Sequence, residues 1–158
     1  MRVVLQSAPG SAASGRLELS DAQWSWHGLE RDHLDCSASV YVGDEEQSVK
    51  LWMNEPHVRD MVGFFDDMGR HSRGWSGVMS WSSENYEINL DADNPAGEDV
   101  TLDVLMRLPP NYEGRWSGVL VVNADALPRA AEAIRKLTGL EEGRRFLTPH
   151  RARTWQPN

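Results

Sequence analysis

The sequence predicts an α+β fold in which an antiparallel β-sheet of about six to eight strands packs against two amphipathic helices, at about residues 55–70 and 125–138. Apolar and polar residues alternate over much of the 158-residue chain, and a period of two is typical of strands with one buried face. The two helical segments separate groups of strands instead of alternating with single strands. An antiparallel sheet is therefore favoured over a doubly wound parallel sheet.

Four strands are expected before the first helix. Apolar side chains dominate or alternate in each of them, and the charged loop 43–47 turns the third strand into the fourth as a hairpin. The four segments are residues 3–5, 16–27, 36–42 and 49–53.

The first helix is expected to begin after Asn54, whose side chain can accept a hydrogen bond from the first turn. Pro56 falls in that turn, where a missing N–H costs little. Apolar residues then recur along one helix face for about four turns. They are Val58, Met61, Val62, Phe65 and Met68.

Four further strands are expected between the two helices. They are residues 75–82, 86–92, 100–106 and 116–122. Residues between inward positions on a strand face outward, so Glu87, Asp91 and Asp103 are predicted to lie on the solvent side of a hairpin. The continuous apolar run Val119–Val122 indicates a central strand that is covered on both faces.

Asp125 is the expected N-cap of the second helix, because Pro128 then falls in the first turn, and Gly139 suits the position that ends it. We expect residues 1–140 to form a single domain. Residues 141–158 contain four Arg and two Pro with few apolar residues. This Arg-rich tail is predicted to be flexible or bound to the surface.

Composition disfavours several classes of protein. The net charge of −8 argues against nucleic-acid binding, which needs a basic face. The single Cys36 forbids an internal disulfide and fits a reducing compartment. The sequence has no run of about 18 apolar residues, and its first residues lack the apolar stretch of a signal peptide. We therefore expect a cytoplasmic protein that binds neither nucleic acid nor membrane.

The negative charge is concentrated in one part of the chain. Residues 74–106 contain seven acidic and no basic side chains, whereas residues 107–158 have a net charge of +4. This local acidity is typical of a recognition surface for a basic partner.

No set of residues carries a strong catalytic or metal-binding signal. The acidic segment 91–99 departs from an EF-hand loop, because Pro95 stands at its fifth position and strands flank it. His27, His33 and Cys36 lack the paired short spacing of structural zinc ligands. We predict no catalytic residues, no metal and no cofactor, and enzymatic activity is disfavoured without being excluded.

Short motifs link the chain to a known family. They are Leu51–Met53, Gly63–Met68, Arg73–Gly77, Trp81–Glu84 and Trp116–Val122, followed by Asp125–Leu127. With these motifs the chain resembles, over about residues 15–140, a bacterial family of small proteins of unknown function. More distantly it is similar to WapI-type immunity proteins, which bind and neutralise a secreted toxin domain of the same strain.

This resemblance implies a non-enzymatic module that binds a protein, and a basic toxin domain would be attracted to an acidic face. The predicted partner-binding residues are Glu87, Asp91, Asp93, Glu98, Asp99 and Asp103. Reversing Glu87, Asp91 and Asp103 together to Lys is expected to preserve the fold and weaken binding.

Two alternatives stay open. The seven Trp could line a concavity between sheet and helices, in a small-molecule-binding protein or an accessory enzyme of a bacterial biosynthetic pathway. Trp26, Trp75, Trp81 and Trp116 lie on or beside predicted strands, where a place in the core or at the sheet rim is the simpler expectation. The chain could also be a homodimerising structural domain, and both a monomer and a homodimer are compatible with the sequence.

Overall fold

A computed structural model of the chain describes residues 1–7 and 14–140, together with the backbone of residues 155–157. It confirms the predicted α+β fold, with two helices packed against antiparallel sheets. Eight strands are divided between two four-stranded sheets, and two short strands form a separate pair.

The first sheet contains the strands that precede the first helix, in the order β1-β2-β3-β4. They are β1 (Arg2–Gln6), β2 (Gly15–His27), β3 (Glu30–Val42) and β4 (Glu45–Asn54). Their register aligns buried side chains in rows across all four strands, as in Val3, Leu19, Ala38 and Val49. This aligned apolar face is what the alternating sequence pattern predicts.

The second sheet has the order β6-β7-β8-β9. The predicted strand 75–82 is interrupted at Val78, so β5 and β6 are separate, and β5 pairs with β10. The strands are β5 (Trp75–Gly77), β6 (Met79–Ser82), β7 (Ile88–Asp93), β8 (Asp99–Leu108), β9 (Gly114–Asn123) and β10 (Trp155–Pro157). A buried row of Met79, Ala92, Leu102 and Leu120 crosses the second sheet.

The last strand of the second sheet corrects one prediction. β9 stands at the end of the strand order, so it is not a central strand covered on both faces. Leu120 and Val122 are buried, whereas the side chain of Val119 is 43% exposed. A β-bridge between Ser7 and Val122 joins this strand to the segment that follows β1.

Helix α1 (Glu55–Arg70) begins and packs as predicted. The Asn54 side chain accepts a hydrogen bond from the His57 backbone N–H at 3.2 Å, and the predicted apolar stripe is buried. Near its end the helix approaches the second helix closely, because a Cβ added at Gly69 would lie 3.2 Å from the Pro128 Cα.

Helix α2 (Leu127–Thr138) ends at Gly139, as predicted, with a φ of +68°. Asp125 is not its N-cap. Asn123 accepts a hydrogen bond from the Asp125 N–H at 2.8 Å and caps a short 3-10 turn, Ala124–Ala126, that leads into the helix. An Asn at the end of β9 therefore takes the capping role two positions earlier than the sequence pattern suggested.

No helix in the part of the chain that the structure describes is long and apolar enough to cross a membrane. The predicted Arg-rich tail, residues 141–158, lies outside the described residues except for the backbone of β10.

Candidate functional site

The acidic side chains predicted to bind a partner are concentrated on the outer surface of the second sheet. Ile88, Leu90 and Ala92 of β7 face the core, so Asp91 and Asp93 point away from it. Asp99 and Asp103 of β8 are also exposed, because they alternate with buried residues such as Val100 and Leu102. We call these four side chains, together with Glu98 in the preceding turn, the acidic face.

Two members of the acidic face lie directly opposite each other. The register of β7 and β8 pairs Asp91 with Asp103, and it pairs Asp93 with Thr101. Side chains at opposite positions are about 5 Å apart at Cβ, and like charges placed there destabilise a sheet. Among the described residues neither carboxylate has an ion-pair partner. The fold thus keeps a repulsive pair of charges at its surface.

Exposed apolar side chains lie next to Asp103, whereas the cross-strand neighbour of Asp91 on β6 is Ser80. Val119 of β9 is the cross-strand neighbour of Asp103, and Leu105, two residues along β8, is 38% exposed. Val78, between β5 and β6, is also exposed. Sequence analysis did not identify these residues, because it treated Val119 as buried. The exposed surface therefore places apolar side chains beside acidic ones.

The loop between β7 and β8 is held rigidly by a buried amide. The Asn94 side chain accepts a hydrogen bond from the Gly97 N–H at 2.9 Å and donates one to the Ser72 carbonyl at 3.2 Å. The Trp75 N–H donates to the Asn94 carbonyl at 2.9 Å. At Gly97, with a φ of +78°, an added Cβ would lie only 2.0 Å from the Arg73 carbonyl oxygen.

This anchoring has a direct consequence for the acidic face. The Ala124 N–H also donates to the Glu98 carbonyl at 3.0 Å, so the backbone on either side of Asp99 is fixed. The carboxylates at this end are presented from a preorganised backbone, which lowers the entropy lost when a partner binds. Asn94 is a supporting residue that sequence analysis missed, although an Asn three residues before a Gly in a turn is a signal of local side-chain hydrogen bonding.

Glu87 is not part of the acidic face, and its predicted position is corrected by the structure. Its side chain is 6% exposed and accepts a hydrogen bond from the Ser83 hydroxyl at 2.6 Å. Tyr86 has a φ of +59° and is itself exposed, and the strand begins only at Ile88. The alternation begins only at Ile88, after the turn at Tyr86, so Glu87 is buried where the pattern placed it outward.

The remaining candidate residues do not form a chemical site. No group of three or more His, Cys, Asp or Glu in the described residues could hold a metal ion. Cys36 is buried, and burial raises the pKa of its thiol to about 12. His33 contacts Asp32 and Asp35 and stacks on Trp52 at 4.8 Å, whereas the Cys36 side chain faces the core.

The Trp residues occupy separate places in the fold. Trp75 and Trp81 are buried in the core, Trp116 donates to the Glu45 carboxylate at 2.6 Å, and Trp26 is exposed. Two surface cavities of about 490 and 480 Å³ occur within the described part of the chain. Neither has Trp in its lining, which consists mainly of α2 residues in the first cavity and of residues of β1 and α2 in the second.

The chain is an α+β protein with two four-stranded antiparallel sheets, the second of which carries the acidic face. The chain belongs to a family of unknown function, DUF6228, which matches residues 11–141. This family covers nearly the same part of the chain as the expected bacterial family of unknown function. No curated protein and no solved structure shows significant similarity to the chain.

Proposed function

We propose that the chain is a non-enzymatic module that binds a basic protein through the acidic face. The observation that carries this proposal is the Asp91–Asp103 pair, which lies at opposite positions on two strands and has apolar neighbours. A repulsive pair lowers the stability of the free protein. A cationic side chain placed between the two carboxylates would relieve that repulsion, so the free energy of binding includes this relief.

The particular partner we propose is a cognate bacterial toxin domain that the chain neutralises, as in immunity proteins. The charge of the acidic face supports this narrower proposal, which follows the expectation drawn from the sequence motifs. Toxin domains that act on nucleic acid carry basic surfaces, because phosphate contacts require them. Covering such a surface would block access of the nucleic acid.

The experiment is a binding measurement with a defined protein, the product of the gene immediately upstream of the one that encodes this chain. The double variant Asp91→Lys/Asp103→Lys is compared with Asp44→Lys/Glu46→Lys, which makes the same change in net charge on the exposed β3–β4 hairpin. We expect calorimetry to show weakening of about 100-fold or more for the first variant and of less than about tenfold for the second.

Three results would contradict the proposal. They are an absence of binding to the upstream gene product, equal weakening by the two double variants, and an affinity that does not change between low and high salt. Growth of cells that produce the upstream protein, with and without this chain, tests the immunity function separately from binding.

A further inference from the structure

The hairpin of β2 and β3 extends past the rest of the first sheet. The pairing of β1 with β2 stops at Ser20, and the pairing of β4 with β3 begins at His33. Residues 21–32 therefore form a two-stranded projection, which we call the arm. A register shift between Ser20 and Gln23, next to Asp21 with a φ of +55°, marks its base.

The arm is fastened to the end of α2. The Trp24 indole N–H donates to the Thr138 carbonyl at 2.7 Å. The Arg31 guanidinium lies 5.2 Å from the Trp24 ring centroid and 5.8 Å from that of Trp26. Two-stranded hairpins alone are marginally stable in water, so these contacts hold the arm in place.

The tip of the arm exposes apolar side chains that the turn does not require. Gly28, with a φ of +63°, takes the first of the two turn positions, as type II′ turns demand. Leu29 takes the second position and is 97% exposed, while Trp26 is 59% exposed. The β3–β4 hairpin has the same kind of turn, with Gly43 at a φ of +58°, and carries Asp44 where the arm carries Leu29.

Acidic side chains lie along the arm. Glu30 is next to Leu29 and Asp32 follows it, whereas Asp21 and Asp35 lie at the base, and Asp32 and Asp35 contact His33. The single Arg of the arm, Arg31, lies against the two Trp rings. An apolar anchor with acidic flanks complements a partner pocket that is apolar inside and cationic at its rim. Trp and Arg are also the residues that contribute most often to the energetic centre of protein interfaces.

We propose that the arm is a second interaction surface, which inserts Trp26 and Leu29 into an apolar pocket rimmed by Lys and Arg on a protein partner. The anchor is rigid, because Trp24 and Arg31 fix the arm before binding. A preorganised anchor loses little conformational entropy on binding, and exposed acidic flanks speed up encounter with a cationic rim.

The test uses the full chain with a photo-crosslinking amino acid in place of Leu29, produced in the cells to which the sequence belongs. The matched control carries the same amino acid in place of Asp44, at the tip of the other hairpin. A third variant carries it in place of Leu105, beside the acidic face. Adducts are separated by size and identified by peptide mass spectrometry.

We expect a discrete adduct from position 29 and none from position 44. Mapping should place the crosslink in an apolar pocket with Lys or Arg at its rim. Trp26→Ala should reduce the yield of the adduct about tenfold or more. Glu30→Lys/Asp32→Lys should reduce the yield by a similar factor, and the yield that remains should not depend on salt concentration. Circular dichroism verifies that these exposed substitutions leave the fold unchanged.

The proposal is overturned if position 29 gives no adduct, gives the same adducts as position 44, or crosslinks to a second copy of this chain. Retention of the adduct in Glu30→Lys/Asp32→Lys would also overturn it, because the cationic rim would then be absent. An adduct from position 105 without one from position 29 contradicts the proposal that the arm binds a partner, and it leaves the binding role of the acidic face supported. The opposite pattern contradicts the function proposed for the acidic face.

Discussion

Replacing Asp103 with Asn is expected to stabilise the free protein. The substitution keeps the size of the side chain and removes one of the two charges that β7 and β8 place opposite each other. Most surface substitutions change stability little, and most of the others destabilise. A gain at an exposed strand position would therefore reveal the repulsion directly.

The size of the gain follows from the geometry of the pair. Two unit charges about 6 Å apart in a water-like medium repel by about 0.7 kcal/mol, and cross-strand pairs contribute about 0.2–1 kcal/mol. We therefore expect Asp103→Asn to raise the free energy of unfolding by about 0.5 kcal/mol at low ionic strength. In about 1 M salt, where the Debye length is about 3 Å, most of the gain should disappear.

Urea unfolding measures this effect, with fluorescence of the buried Trp75 and Trp81 as the signal. Asp93→Asn is the matched control, because Asp93 is on the same face but stands opposite Thr101. A double-mutant cycle with Asp91→Asn isolates the coupling between the two carboxylates. A loss of stability in Asp103→Asn, an equal gain in Asp93→Asn, or a gain that persists in high salt would refute the reasoning.

Three further predictions concern the residues that support the fold. Asn94→Ala removes two side-chain hydrogen bonds at a buried position and should lower the free energy of unfolding by about 2–3 kcal/mol, measured by urea unfolding. Glu87→Lys should cost about 3 kcal/mol or more, because it buries an unpaired cation, whereas Glu87→Gln should cost about 1 kcal/mol in the same assay. The Cys36 thiol, with its raised pKa, should react with a disulfide reagent at pH 8 at least about 100-fold more slowly in the folded protein than in urea; comparable rates in both states would contradict its burial.

The elements of the fold could be predicted from local patterns. The first helix spans Glu55–Arg70, where the Asn54 cap and the apolar spacing placed it, and the second begins at Leu127 within the predicted segment. The outward positions of Asp91 and Asp103 followed from the alternation of their strands. Periodicity of side chains is a local property, so the sequence displays it directly.

Long-range and turn-dependent features could not be predicted in the same way. The continuous apolar run of β9 does not reveal that the strand ends the sheet order and exposes Val119. The turn at Tyr86, with its positive φ, comes before the alternating segment, and Glu87 beside it is buried. The placement of Asp91 opposite Asp103 depends on the register, which is fixed by the loop that Asn94 anchors. These properties arise from tertiary contacts that no single segment encodes.

The burial of Glu87 changes the variant that tests the acidic face. Reversal of Glu87 together with Asp91 and Asp103 would disrupt the core as well as the surface charge, because Glu87 is buried. Restricting the reversal to exposed carboxylates separates recognition from folding.

The most direct measurement is the affinity of the single variant Asp103→Lys for the upstream gene product, with its unfolding free energy measured in parallel. Lys at this position would face Asp91 as an opposite charge, so the variant should be more stable than the natural chain by about 0.5–1 kcal/mol. We predict that the same variant binds its partner at least about tenfold more weakly. An affinity equal to or higher than that of the natural chain would contradict a binding role for the acidic face.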